Sequence, residues 1–448
     1  MASVTFEETL AKWLVKQRWF AGKGRTIRDL AIVAETDLAA GDPGLRHLIV
    51  TVSHGATVDS YQVLIGTRAK LPGSLKHAAI GPAGRGQIAY DALHDSALTR
   101  ILLRAIESEE TIGPIRFARL PGVSLDTSLD SLVLTAEQSN TSLVFGEVAI
   151  LKVFRGVSPG PNPDLEVTTA LAALGSAHVA EPFGWIETSM HGATTTLAIL
   201  SRYLRAANDG WSMAATSVRD LYAREGTQAA DAGGDFSGEA RRLGAATAQV
   251  HRDLSEAFGA DELTPDAVQE LAEQMFRRLD LAMAAVPELG RYADMLGAAY
   301  SRLAKLTEPV LGQRVHGDYH LGQVMRTQTG WVVLDFEGEP VAPLAQRRAR
   351  SSPLRDVAGM LRSFDYAARH QLLSHPDRAR LHGAARDWVQ RNSAAFCGGY
   401  AEAGGEDPRA NDVLLRALLL DKAVYEVTYE ARHRPSWLSL PLDSLADA

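Results

Sequence analysis

The sequence predicts an α+β protein in three parts, and three observations predict it. Residues 1–110 mix an amphipathic helix pattern with apolar strand patterns, residues 111–205 are dominated by short apolar strands, and residues 206–448 carry one long helical period after another. At 448 residues the chain exceeds one ordinary core, so several domains or lobes are expected.

The elements follow in order. In FEETLAKWLVKQRWF, Leu10, Trp13 and Leu14 fall at helical spacing. LRHLIVTVS and SYQVLIG read as strands joined by a hairpin turn at His54-Gly55, and DALHDSALTRILLRAI reads as an amphipathic helix. GKGR, residues 22–25, resembles a fragment of a phosphate loop but lacks the full spacing and a preceding strand, so no phosphate is assigned to it. SLVLTAEQ, TSLVFG, EVAILKVF and TTTLAILSRYL are strands. The helix PNPDLEVTTALAAL interrupts them, with Asn162 as its cap and Pro163 as its first residue. Beyond 205, SMAATSVRDLYAR, EARRLGAATAQVHRDL, VQELAEQMFRRLDLAMAAV and ADMLGAAYSRLAKL read as helices, with a flexible loop at 225–239. NDVLLRALLLDKAVYEVTYEARHR closes the chain as another helix, and there is no internal repeat.

Composition narrows the function. With 46% hydrophobic and 22% charged residues this is a folded chain, and a net charge of −8 excludes a general nucleic-acid or anionic-membrane binder. The single cysteine, Cys397, excludes an internal disulfide and a cysteine-built zinc site, and it reads as a small buried apolar group. Without a signal-like N-terminus or a long uncharged apolar run, a cytoplasmic protein is expected.

The chemistry concentrates in VHGDYHLGQVMRTQTGWVVLDFEGEP. Asp318 follows His316-Gly317, and Asp335 closes an apolar strand 17 residues later. Phosphoryl transfer needs a carboxylate to receive the proton of an attacking hydroxyl, and oxygen ligands to hold Mg²⁺ against phosphates. Asp318 fits the first role, and Asp335 with the Gln323 amide oxygen fits the second. Upstream, Lys152 sits in an apolar strand where an unpaired ammonium is costly, and Glu166 on the next helix is a ready partner. The pair is either a salt bridge or a lysine oriented to hold ATP phosphates. Ser139, Asn140 and Thr141, between two strands, could bring backbone N–H groups to phosphate, or could form an ordinary turn. The backbone of Ser201 to Tyr203 could meet adenine. Asp356 reads equally as a helix cap or a substrate contact. Trp211 reads as packing, and His251, placed at a helix end, and His370 have no metal-ligand spacing.

The order of lysine strand, glutamate helix, H-G-D-x-H and D-F-E resembles the aminoglycoside-phosphotransferase-like kinases, which share the protein-kinase fold and phosphorylate small molecules. QRWFAGKGR, EQSNTSLVFG, NPDLEV, HGDYHLGQV, LDFEGEP, LRDVAGMLRSFDYAA and YEARHRPSWL extend the likeness to the actinobacterial maltokinase-type kinases over almost the whole chain, and within them to the glucosamine kinases. The resemblance implies a bilobal protein-kinase-like fold with an additional cap: residues 1–110 as the cap subdomain, 111–205 as the nucleotide-binding N-lobe and 206–448 as the catalytic C-lobe. It implies Asp318 as base, Gln323 and Asp335 as Mg²⁺ ligands, and Lys152 with Glu166 on the phosphates of ATP. The implied reaction converts glucosamine to glucosamine 6-phosphate, in a protein expected to be a monomer.

An ammonium-bearing acceptor calls for carboxylates beside an aromatic platform. Asp421, Glu426, Glu430 and Trp437 supply them, although Lys422, Glu426 and Glu430 equally suit an ordinary i,i+4 salt-bridge ladder. The rival readings are a maltokinase making maltose 1-phosphate, a catalytically silent kinase-like scaffold and an aminoglycoside-inactivating kinase.

Overall fold

The computed structural model describes residues 5–22, 25–55, 57–134, 139–223, 228–231, 234–339 and 342–447. The Lys23-Gly24 centre of GKGR, Glu137-Gln138 of EQSNTSLVFG and residues 225–227 and 232–233 of the expected loop lie outside them. The chain forms two compact units, Met1–Glu166 with Ala180–Arg205, and Val167–Val179 with Ala206–Ala448. Among the described residues no helix is long and apolar enough to cross a membrane.

The first unit opens with α1 (Phe6–Leu14), whose first turn is capped by Thr5 Oγ1 accepting from Glu8 N. An antiparallel sheet follows: β1 (Asp29–Ala39), β2 (Gly44–Ser53), β3 (Val58–Arg68), β4 (Ala79–Gly84) and β5 (Gln87–Asp91), ordered β1-β2-β3-β5-β4. Then come α2 (Ser96–Glu107) and a seven-stranded sheet: β6 (Thr111–Ile112), β7 (Ile115–Arg119), β8 (Ser131–Val133), β9 (Asn140–Phe145), β10 (Ala149–Phe154), β11 (Pro182–Met190) and β12 (Ala193–Arg202), ordered β6-β7-β11-β12-β10-β9-β8. The His54-Gly55 turn joins β2 to β3, with Ser53 opposite Val58. Helix α2 begins at Ser96 rather than five residues earlier, because Asp95 caps it and Ala92–His94 form a 3₁₀ turn.

Strands β2 and β3 are apolar on both faces because both are covered. Leu48, Val50, Val63 and Ile65 pack with Leu10 and Leu14 of α1, while Leu45, Ile49 and Leu64 pack with Leu143, Leu151 and Leu197 of the second sheet. Strands β1, β4 and β11 escape the sequence reading because β1 is largely exposed without clean alternation, and β4 and β11 carry glycine and proline.

A buried polar network joins the two sheets. Gln62 Nε2 donates to the carbonyls of Phe154 and Leu197, and its Oε1 faces His47 Nε2 at 3.0 Å. Burial pushes the His47 imidazole down to about 4, against the Gln62 hydrogen bond, so it sits neutral among these amides. Arg155 Nη2 binds Asp91 Oδ2 at 2.6 Å with both side chains under 5% exposed, its Nε donates to Thr141 Oγ1 at 2.8 Å, and its guanidinium lies 4.7 Å from the Trp19 ring.

The second unit is mostly helical. The helix α3 (Pro163–Ala173), capped by Asn162 Oδ1, crosses the boundary between the units, and Val167 and Leu171 belong to the second unit's core. It is followed by β13 (Asn208–Asp209), α4 (Gly210–Tyr222), α5 (Ser237–Phe258), β14 (Ala260–Glu262), α6 (Pro265–Ala285) and α7 (Ala293–Leu303). Next come β15 (Leu311–Gln313), β16 (Val324–Arg326), β17 (Trp331–Val333), α8 (Leu344–Arg347), α9 (Leu354–His370), α10 (Arg378–Glu402), α11 (Asp412–His433) and α12 (Ser439–Ala446). Helix α9 is buried almost all round, and its Phe364 packs against Phe236, Trp388 and Phe396. Cys397 is buried, as expected. Asp209 caps α4 through Ser212 N, and Trp211 packs edge-on to His370.

Losing one partner of a buried ion pair costs about 3–5 kcal/mol, whereas an exposed pair is worth about 0–1 kcal/mol. Asp91→Ala therefore lowers unfolding stability by several kcal/mol, while Glu181→Ala, which breaks the exposed Arg202–Glu181 pair, leaves it nearly unchanged. Urea titration of both variants checks this.

Candidate active site

The centre of the second unit is a loop built on α9. The buried Asp356 carboxylate accepts from His316 N at 2.7 Å and Gly317 N at 2.8 Å, and His251 Nε2 lies 3.1 Å away. Burial pushes the Asp356 carboxyl up, but the His251 hydrogen bond, the nearby imidazoles and the Gly317 N–H together hold it below the usual carboxylate range. Asp356 is thus neither a helix cap nor a substrate contact: it pins the backbone that carries Asp318. His251 lies within α5, not at its end, and its Nδ1 is 2.8 Å from Tyr400 Oη.

Two glycines permit this seat. Gly317 has φ +85°, a left-handed backbone that side chains disfavour, and a Cβ on Gly359 would lie 2.5 Å from the Tyr319 carbonyl. Leu321 N donates to Ser363 Oγ at 3.0 Å, so residues 356, 359 and 363 of one α9 face support the loop. Tyr319 is buried behind it, its hydroxyl 2.8 Å from Thr247 Oγ1.

The same loop reaches Asp335. His316 Nδ1 accepts from Asp318 N at 3.3 Å, so Nε2 is the protonated nitrogen that donates to Leu334 O at 2.8 Å. Leu334 N in turn donates to Gln323 O at 2.9 Å. Phe336 is buried against the His316 ring at 4.9 Å, while Asp335 takes φ +69°, unusual for a residue with a side chain. Gln323 and Asp335, both partly exposed, are adjacent through this backbone bond and offer one amide and one carboxylate oxygen. Such a hard-oxygen pair fits a divalent cation that completes its shell with phosphate and water.

Asp318 opens onto a cleft of about 350 Å³ that Glu339, Arg355, Arg278, Asp421, Lys422 and Tyr425 also line. Lys422 Nζ lies 3.5 Å from Asp318 Oδ1. Asp421 is paired with Arg278, and burial raises its carboxyl above the usual range despite that arginine.

The predicted ladder along α11 does not form. Lys422 turns to Asp318, and both Arg362 hydrogen bonds to Glu426 fall on Oε2. Glu430 is 1% exposed, with Oε1 taken by Arg434 and Tyr366 and Oε2 by Arg434, so its expected role toward substrate is corrected to a structural one. Trp437 packs 4.4 Å from His370 and carries the Arg434 guanidinium at 4.2 Å, so it is not a bare sugar platform. Glu426, Glu430 and Trp437 do not line the cleft of Asp318; Asp421 does.

In the first unit Lys152 Nζ lies 3.5 Å from Asp164 Oδ2, an acid on the same helical turn as Glu166 that sequence reasoning passed over. Ser139 is exposed and Asn140 half-buried at the start of β9. The Thr141 hydroxyl is buried under Arg155, which removes it from a phosphate-facing role. In the segment expected to meet adenine, Ser201 is paired across from Ile150, and Tyr203 N donates to Val148 O at 2.9 Å, so that N–H is committed to the sheet. Sequence reasoning also missed Asp356's role, His251, Arg278 and Glu339. A buried acid followed by a glycine three residues and a serine seven residues later on one helix was the available signal for the first.

A carboxylate on a pinned loop and an oxygen pair at a strand end in the helical unit, and a lysine–acid pair in the strand-rich unit, are the features of a protein-kinase-like small-molecule phosphotransferase. Residues 13–95 match the maltokinase N-terminal cap domain. The chain is 31% identical over 325 residues to a glucosamine kinase of Streptacidiphilus jiangxiensis, covering 70% of this chain and 72% of that protein. It is 29% identical over 320 residues to one of Mycolicibacterium smegmatis, covering 69% and 77%. A solved structure of a glucosamine kinase in complex with glucosamine, ADP and inorganic phosphate has a TM-score of 0.70 at 26% identity, over 100% of this chain and 99% of that one. The protein belongs to the maltokinase-like glucosamine kinase family.

Removing the Asp356 carboxylate leaves the buried His316 N–H, the partly buried Gly317 N–H and His251 without that acceptor, each lost bond costing about 1–3 kcal/mol. Asp356→Ala therefore unfolds at markedly lower urea. Asp356→Asn, which keeps one acceptor oxygen, folds but loses most phosphotransfer, as urea titration and a turnover assay on the same preparations will show.

Proposed function

We propose that this protein transfers the γ-phosphoryl group of ATP to the 6-hydroxyl of D-glucosamine, giving glucosamine 6-phosphate and ADP. The reading is carried by Asp318, held by Asp356 at the mouth of the cleft, in a chain of the glucosamine kinase family. The Asp318 carboxylate accepts the proton of the 6-hydroxyl as that oxygen attacks the γ-phosphorus, and the bond from phosphorus to the β,γ-bridging oxygen breaks as ADP leaves. His316 and Asp356 fix the backbone from which the carboxylate projects, which limits reorganisation during proton transfer.

Gln323 and Asp335 would hold a divalent cation, taken here as Mg²⁺, which when bound offsets charge on the phosphates. Lys152, oriented by Asp164 and Glu166, serves the phosphates, as do the backbone groups of Ser139 and Asn140. The backbone around Ser201 and Tyr203 is proposed to meet adenine.

For the amine, Asp421 in the cleft is the proposed carboxylate, while Glu426, outside the cleft and bound to Arg362, serves the packing of α9 on α11. Asp318, Lys152 and Asp335 in one chain favour an active kinase over a scaffold. The relatives named above favour glucosamine over maltose. The protein is proposed to act as a monomer.

ADP release with glucosamine, glucose and maltose at equal concentration tests the proposal, with glucosamine expected to be turned over fastest. Losing a charge-assisted contact costs about 1.5–3 kcal/mol, so Asp421→Asn should lower kcat/KM for glucosamine about tenfold or more and leave glucose nearly unchanged. Maltose as the preferred acceptor contradicts the proposal, and equal losses on both hexoses remove Asp421 from amine recognition.

A further inference from the structure

Beside the proposed base stands a cation that the phosphotransfer scheme above does not use. Lys422 Nζ is 3.5 Å from Asp318 Oδ1, its side chain is 30% exposed, and it lines the same cleft. It is held from below, its ammonium 4.8 Å from the centre of the Tyr425 ring one turn further along α11. The segment after Asp318 brings no positive charge of its own: Tyr319 is buried, Leu321 is apolar, and His320 Nδ1 accepts from Gly322 N. Among the described residues Lys422 is the cation that forms a salt bridge with Asp318. Its position follows from the failed ladder on α11. Arg362 takes Glu426, so Lys422 is released from its i+4 neighbour and swings to Asp318.

We infer that Lys422 is a specificity-determining residue that sets which hydroxyl of an amino sugar reaches Asp318, admitting one remote from the ammonium and excluding one close to it. The inference rests on the proposed reaction. A hydroxyl hydrogen-bonded to Asp318 brings its near neighbours within a few ångströms of Lys422, where like charges repel strongly in a partly desolvated cleft. In glucosamine the amine on C2 and the hydroxymethyl on C5 sit across the ring from one another. The 6-hydroxyl can therefore approach Asp318 with the ammonium pointed away from Lys422 and toward the carboxylates further along the cleft. The hydroxyls on C1 and C3 are vicinal to the amine and cannot. An amine on C4, beside the hydroxymethyl-bearing carbon, would be carried toward Lys422 even though the same 6-hydroxyl is offered. The lysine thus converts a general base into one that reads the distance between charge and acceptor.

The test compares kcat/KM for glucosamine and for 4-amino-4-deoxyglucose in the unaltered protein, Lys422→Met and Lys422→Arg. Glucose serves as the uncharged reference, and thermal melting as the check on folding. In the unaltered protein glucosamine should be preferred by about tenfold or more, a difference typical of one like-charge contact. Lys422→Met should raise kcat/KM for 4-amino-4-deoxyglucose about tenfold relative to glucose and narrow the preference by the same factor, with the KM for ATP unchanged and the part due to the carboxylate at the C2 amine retained. Lys422→Arg, which keeps the charge, should keep the preference and guards against a methionine variant that fails to fold. An unaltered preference in Lys422→Met, or no preference in the unaltered protein, overturns the inference. Absence of glucosamine turnover in the unaltered protein sinks the proposed function itself, and the role of Lys422 with it.

Discussion

One carboxylate organises the centre of the second unit. Asp356, buried on α9, replaces the water that the amides of His316 and Gly317 would otherwise bind, and it is paid for by His251 from α5. Everything downstream takes its direction from that seat. Because the loop is fixed at 316–317, His316 can bridge Asp318 N and Leu334 O, and Leu334 can bond Gln323. Asp318 and the oxygen pair therefore hang from one hydrogen-bonded frame, with Phe336 locked into the core and Asp335 beside it in a left-handed backbone.

The rest of the fold repeats this pattern of buried charge with complete partners. Asp91 and Arg155 join the two sheets of the first unit, and Arg362 ties α9 to Glu426 on α11 and to Asp365 on its own helix. Pairs of this kind contribute little net stability but penalise any packing that separates them, so they fix register more than they add strength. At the cleft the pairing is deliberately incomplete in chemistry if not in geometry: the Asp318–Lys422 contact is long and partly exposed, and an acceptor can displace it.

Much of this was legible in the sequence. The α1 and α11 helices, the β2–β3 hairpin, the Asn162 cap and the H-G-D and D-F-E residues could be read because each depends on local spacing. Family resemblance supplied the cap and the roles proposed for Asp318, Gln323 and Asp335. What could not be read depends on residues far apart in the chain. Thr141 looked available until Arg155, fourteen residues on, covered it. Glu430 looked free, yet Tyr366 and Arg434 enclose it. Asp356 looked like a cap because its partners, 39 and 40 residues upstream, are backbone amides that no side-chain motif advertises.

The central claim is that Asp318 is the base of a phosphotransfer to glucosamine. It is tested most directly by comparing the unaltered protein with Asp318→Asn, measuring ATP affinity by calorimetry and glucosamine 6-phosphate formation by phosphorus NMR. General-base catalysis contributes about 10²–10⁴-fold, so the account predicts a loss of product formation of that size with ATP binding retained. Product formation within a few-fold of the unaltered protein would contradict it.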